Sequence, residues 1–121
     1  MNISKTWDVN PMEFIPVVQD DISKITVDLA EKIFYGVVSR TPVYTGDLRA
    51  SWIAETYEST SVNVGGSKDS PLPPPTFPAH IRGLKPTMVY IMNSTPYAGL
   101  VEFGGPTNIP RAMVQLTLNS L

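Results

Sequence analysis

The single histidine of this 121-residue sequence, His80, is the only side chain whose ordinary pKa lies near neutrality, and there is no cysteine to supply a thiolate. A Ser/His/Asp arrangement would have to be built on it. His80 sits in a proline-rich stretch, and no serine carries the Gly-x-Ser-x-Gly turn that exposes a nucleophile. A lone loop histidine is ordinarily a solvated side chain. A metal site would need oxygen ligands, yet Asp20-Asp21 and Asp69 lack the regular spacing of a calcium loop. Thr45-Gly46-Asp47 opens a helical turn whose free amides attract anions, but Asp47 places a negative charge at that position, so a structural cap is the better reading. No catalytic, cofactor-binding or metal-ligating residue is expected.

Two charged residues stand out because each is set in an otherwise small or apolar turn: Arg49 in Leu-Arg-Ala-Ser and Glu102 in Leu-Val-Glu-Phe. If their helices meet across a sheet, an Arg49–Glu102 pair fixes the register and removal of one partner strands the other. Alternatively, both face a neighbouring subunit. The expectation from the pair is that each alanine substitution destabilises and the double change costs less than the sum.

The elements that position these residues follow from periodicity. Asn10-Pro11-Met12-Glu13 has the form of a helix start, with Pro16 as the alternative first residue. From residue 17 to 39, Val18, Ile22, Ile25, Leu29, Ile33 and Val37 recur at three- and four-residue spacing, which predicts a long amphipathic helix with that stripe turned to the core. Its other face carries Asp20, Lys24, Asp28 and Lys32 in i,i+4 register.

Pro42 ends the helix, and Thr45 can cap the turn through Asp47, Leu48 and Arg49. Residues 52–57 alternate as a strand, 58–60 read as a polar turn and 61–64 as the return strand of a hairpin. Residues 65–86 form a long irregular segment with five prolines between Pro71 and Pro78. It reads either as a stiff docking arm (Pro71, Pro73, Pro74, Pro75, Phe77, Pro78) or as an insertion without a role. Residues 87–93 are apolar on both faces, as in a central buried strand. Thr95 and Pro96 then start a short helix that Gly104 ends, and residues 110–118 form a last helix or strand. The fold class is α+β: one domain, 1–121, with a long N-terminal helix on a small antiparallel sheet. The aromatic set Tyr44, Trp52, Tyr90, Tyr97 and Phe103 is core or interface anchor.

Composition adds exclusions. At 42% hydrophobic with no long apolar run, the chain has no membrane span. Nine scattered basic residues and a net charge of −2 argue against a nucleic-acid groove. The first residues lack a signal-peptide pattern, so the chain is expected to stay in the cytoplasm where it is made.

Two separated motifs resemble a known family. Thr41-Pro42-Val43-x-Thr45-Gly46-x-Leu48-Arg49-x-Ser51, preceded by the amphipathic helix and followed by Tyr97-Ala98-x-x-Val101-Glu102-Phe103-Gly104, is similar to the tailed-bacteriophage tail-completion or neck-protein family of the lambdoid minor tail protein Z type. The resemblance covers the chain from the helix to Gly104. It departs where Gly105-Pro106 follows Glu-Phe-Gly, a place family members commonly give to threonine.

The resemblance implies an α+β fold and a structural, non-enzymatic role at the head–tail junction, as one copy in a homo-oligomeric ring beside other neck, tail-tube or connector proteins. It implies that Thr45, Gly46, Leu48, Arg49, Tyr97, Glu102, Phe103 and Gly104 are scaffold and interface positions. The expected location is the virion, with DNA met only as it crosses the channel, a passage that a mildly acidic chain would not retard. The competing readings are a tail terminator or head-completion connector in the same machine, a small adaptor presenting Pro71 to Pro78 to a proline-recognising partner, and a hydrolase using His80.

Overall fold

Helix α1, Pro11–Arg40, is the spine of the fold. The structure, a computed structural model, describes residues 11–105 and 110–121, with side chains along α1 described from Asp20 onward. Along the chain follow α2 (Asp47–Ala50), β1 (Trp52–Glu55), α3 (His80–Gly83), β2 (Tyr90–Asn93), α4 (Ala98–Phe103) and α5 (Met113–Asn119). β1, α3 and α5 pack against α1, while β2 joins through β1 and α4 through α5. The architecture is α+β, a long N-terminal helix on a small antiparallel sheet, as expected. Trp7, the proposed capping Asn10 and Pro106 lie outside the described residues. The helix begins at Pro11 and runs through Pro16, which forfeits one amide hydrogen bond there.

The face that α1 buries matches the expected stripe at Ile33 and Val37 and departs from it at Ile22, Ile25 and Leu29, while the Val18 side chain lies outside those described. Ser23, Val27, Ala30, Phe34, Val37 and Val38 point inward, whereas Ile22, Ile25 and Leu29 stand in solvent, Ile25 at 68% exposure. Ile33 is partly buried against the core. Both rows obey the helical period, so periodicity reported the helix, and the tertiary partners chose the face.

The core gathers Val27, Phe34, Val37 and Val38 with Leu48, Trp52, Ala54, Ile81 and Met113. Strand β1 alternates, with Trp52 and Ala54 inward. Trp52 is fixed by its indole nitrogen, which donates to the Thr41 hydroxyl at 2.7 Å, while that hydroxyl donates to the Val37 carbonyl at 2.7 Å. One buried threonine thus ties the sheet to the end of α1.

The sheet is not the expected hairpin. β1 pairs antiparallel with β2, Trp52 opposite Asn93 and Glu55 opposite Tyr90. Residues 61–64 form no strand: Val62 and Val64 are exposed, and Asn63 is held to the start of β1 by its amide on the Ser51 hydroxyl (2.8 Å) and its side chain on the Ala50 carbonyl (2.6 Å). With two strands among the described residues, β2 is an edge strand there, and all four of its residues are half-buried rather than central. The segment 65–86, expected to be irregular throughout, contains α3, whose Ile81 is fully buried. Ion pairs Arg82–Asp28 (2.8 Å), Arg82–Glu31 (3.4 Å) and Lys85–Asp20 (3.2 Å) lay this region along α1. The terminal segment left open between helix and strand is helix α5, which meets α1 where Gly36 leaves room for Thr117.

Candidate assembly site

The first motif is a turn wrapped by its own loop. Gly46 has φ 81, a conformation glycine adopts without cost, and a side chain there would also overlap the backbone of Leu72. Leu72 donates its amide to the Thr45 carbonyl (2.9 Å), and Arg49 donates to the Leu72 carbonyl (2.9 Å). A side chain at residue 66 would overlap the Thr45 carbonyl, and Gly66 gives its amide to the Asp47 carboxylate at 3.1 Å. The Thr45 hydroxyl accepts from the Asp47 amide (3.3 Å), a local turn bond rather than the expected helix cap, because Gly46 occupies the N-cap position without a side-chain cap; Leu48 is buried.

The second motif anchors the last helix. The Glu102 carboxylate accepts from the amides of Val114 (2.8 Å) and Gln115 (3.2 Å), closing the first turn of α5, and the Arg111 amide donates to the Val101 carbonyl (2.8 Å). Gly104 ends α4 at φ 79. The hydroxyl of Thr95 caps nothing. It is buried without a partner, and the Thr95 carbonyl receives the Ala98 amide instead.

These roles separate Arg49 from Glu102. The expected pair does not form, because each side chain is committed to backbone on its own side: Arg49 to the returning loop and Glu102 to α5. The Nε of Arg49 is buried without a partner.

The two motifs nevertheless meet. Residues 42–48 form one wall and Tyr97, Val101 and Arg111 the other of an open cleft of about 590 Å³. Tyr97 loses its proton above the ordinary tyrosine range, first because burial disfavours the phenolate and second because of the negative charge of Asp47 across the cleft. Tyr44, Tyr97, Leu100 and Phe103 are exposed, Phe103 at 80%, whereas Trp52 is core, so the aromatic set divides between the two roles.

The proline-rich segment is tied at two points. Leu72 is held at Thr45, and Phe77 stacks edge-to-face on Phe34 (5.8 Å between ring centres) while its amide donates to the Tyr35 hydroxyl at 3.0 Å. Pro71, Pro73 and Pro74 are exposed, and Pro75 and Pro78 are half-buried. His80 is exposed with Glu55 at 3.4 Å, away from the cleft walls.

Sequence reasoning missed Leu72, Ser51 and Asn63 as clamps of the first motif and Ile81 as core. Only Ile81 left a local signal, as an isolated branched residue between His80 and Arg82. Among the described residues, no helix is long and apolar enough to cross a membrane.

Residues 13–104 match a family model described as "Bacteriophage HK97-gp10, putative tail-component". Searches of curated proteins and of solved structures each found no match.

Proposed function

The chain belongs to the bacteriophage HK97 gp10-like tail-component family, and from that premise we propose that it is a ring-forming structural subunit at the head–tail junction, where it joins or stabilises the head-proximal end of the tail. The carrying observation is the meeting of the two motifs: Thr45, Gly46 and Leu48 share a cleft with Tyr97 and Val101, Tyr44 and Tyr97 of its lining are exposed, and Phe103 stands exposed at the end of α4. Exposed aromatic side chains beside a rigid turn are the composition of a protein contact. Thr45, Gly46, Leu48, Arg49, Glu102 and Gly104 build and hold the surface, while Tyr97 and Phe103 present it.

The partners in this reading are further copies of the chain and the neighbouring neck, connector or tail-tube proteins, with DNA passing through the channel. The protein is made in the host cytoplasm and ends in the virion. A tail terminator or head-completion connector is the nearest alternative station. The adaptor reading draws support from the exposure of Pro71, Pro73 and Pro74, and predicts that deleting the proline run removes partner binding.

The test is sedimentation of a lysate in which particles are being made, with immunoblotting across the gradient. Travel with particles or detached tails is the expected result. Retention in the slow soluble fraction while particles form overturns the proposal and makes the adaptor the leading account.

A further inference from the structure

We propose that neighbouring copies in the ring meet through two unlike patches: the solvent-facing stripe Ile22, Ile25 and Leu29 of α1 on one copy, and the row Tyr97, Leu100 and Phe103 on the next. This rests on the ring reading above and supplies the contact that reading lacks.

Both patches are unpartnered among the described residues. Ile22 and Leu29 are 46% exposed and Ile25 68%, while Leu100 is 46% and Phe103 80% exposed. They are also of matching length. At 1.5 Å per residue, Ile22 to Leu29 spans about 10 Å and Tyr97 to Phe103 about 9 Å. Rows at three- and four-residue spacing are the ridges that pack between helices.

The patches lie on different elements, α1 and the α4 region, and α5 packs on both helices. A closed ring requires such a pair of different surfaces on each copy, whereas a two-fold dimer requires one surface that matches itself.

The charges left over are complementary. Asp20, Asp28 and Glu31 of α1 are engaged by Lys85 and Arg82, which leaves Asp21, one turn before Ile25, without an ion-pair partner among the described residues. Lys32 lies in the Asp28–Glu31–Arg82 cluster. Lys24 lies about 140° around the helix from the centre of the stripe, against about 80° for Asp21. On the other patch, Glu102 is spent on the α5 amides, and the exposed Arg111 beside Tyr97 has no ion-pair partner among the described residues. Asp21 facing Arg111 sets the register of the contact.

Because the chain has no cysteine, introduced thiols report without background. Ile25→Cys and Leu100→Cys are made separately in the full chain, confirmed to unfold at the parent midpoint, concentrated towards millimolar and oxidised. An equal mixture is expected to give a disulfide dimer while each variant alone stays monomeric. The double variant should give a ladder of higher multimers. Asp21→Arg should cut the yield of the mixture several-fold, and adding Arg111→Asp should restore it.

Dimers of either single variant as abundant as those of the mixture, no dimer in the mixture, or a yield indifferent to the charge reversals would each overturn the contact. Co-sedimentation of the parent chain with particles, measured separately, distinguishes the cases. If it travels with particles and the link fails, the ring subunit stands with another contact. If it does not travel, the ring reading itself falls.

Discussion

Gly46 lies directly beneath Leu72, so close that a methyl group at residue 46 would occupy the Leu72 backbone. The turn and the loop across it are therefore one unit, joined by the Leu72 amide on the Thr45 carbonyl and by Arg49 on the Leu72 carbonyl. Gly46→Ala incurs both the left-handed strain and the overlap, and should lower stability by about 2–3 kcal/mol in urea unfolding. Gly83→Ala, where nothing lies within 4 Å of the added carbon, is the control and should be neutral or slightly stabilising.

Glu102 and Arg49 serve different contacts, so their losses should add. Glu102→Ala removes the acceptor of two α5 amides and should cost about 1 kcal/mol, as loss of a helix cap does. A double-mutant cycle with Arg49→Ala should show a coupling below about 0.5 kcal/mol. A larger coupling would restore the direct pair that sequence reasoning expected.

Gly36 sits in the interior of α1, where alanine would ordinarily gain about 1 kcal/mol from helix propensity. Here an added carbon would stand 2.5 Å from the Thr117 methyl, and Thr117 is buried and bonded to the Met113 carbonyl. Gly36→Ala should destabilise, and Gly36→Ala with Thr117→Ser should recover part of the loss by removing that methyl. Thermal unfolding of the three variants decides the sign.

Tyr97 is raised by burial first and by Asp47 second, so its neutral phenol is favoured in the folded state. Any stability this contributes is present below the ordinary tyrosine pKa and fades as pH rises through the folded value. Absorbance titration of the parent minus Tyr97→Phe should show one phenolate forming above the ordinary range. Asp47→Asn should move it part of the way back, because burial remains.

The sequence carried the helix, the two motifs and their family, but not the pairing. The stripe Ile22, Ile25 and Leu29 and the row Val27, Phe34 and Val38 have equally good helical spacing, and only the position of the sheet and α5 makes the second the core. The hairpin failed for a related reason. Val62 and Val64 alternate with polar residues as a strand would, yet Ser51 and Asn63 anchor that segment by side-chain bonds, and β1 takes its ladder from Tyr90–Asn93. At the candidate site, Thr45 and Gly46 were legible as turn chemistry, whereas Glu102 was read as the partner of Arg49 and its hold on the α5 amides was not legible. Nor were Leu72 and Gly66, because a loop that crosses a turn leaves no local period.

The central claim, a ring subunit at the junction of head and tail, is tested most directly by imaging antibody-labelled particles from the virus that produces the chain. The account predicts label at the head-proximal end of the tail alone. Label spaced along the tube, label at the distal tip, or unlabelled particles beside a wholly soluble pool would contradict it.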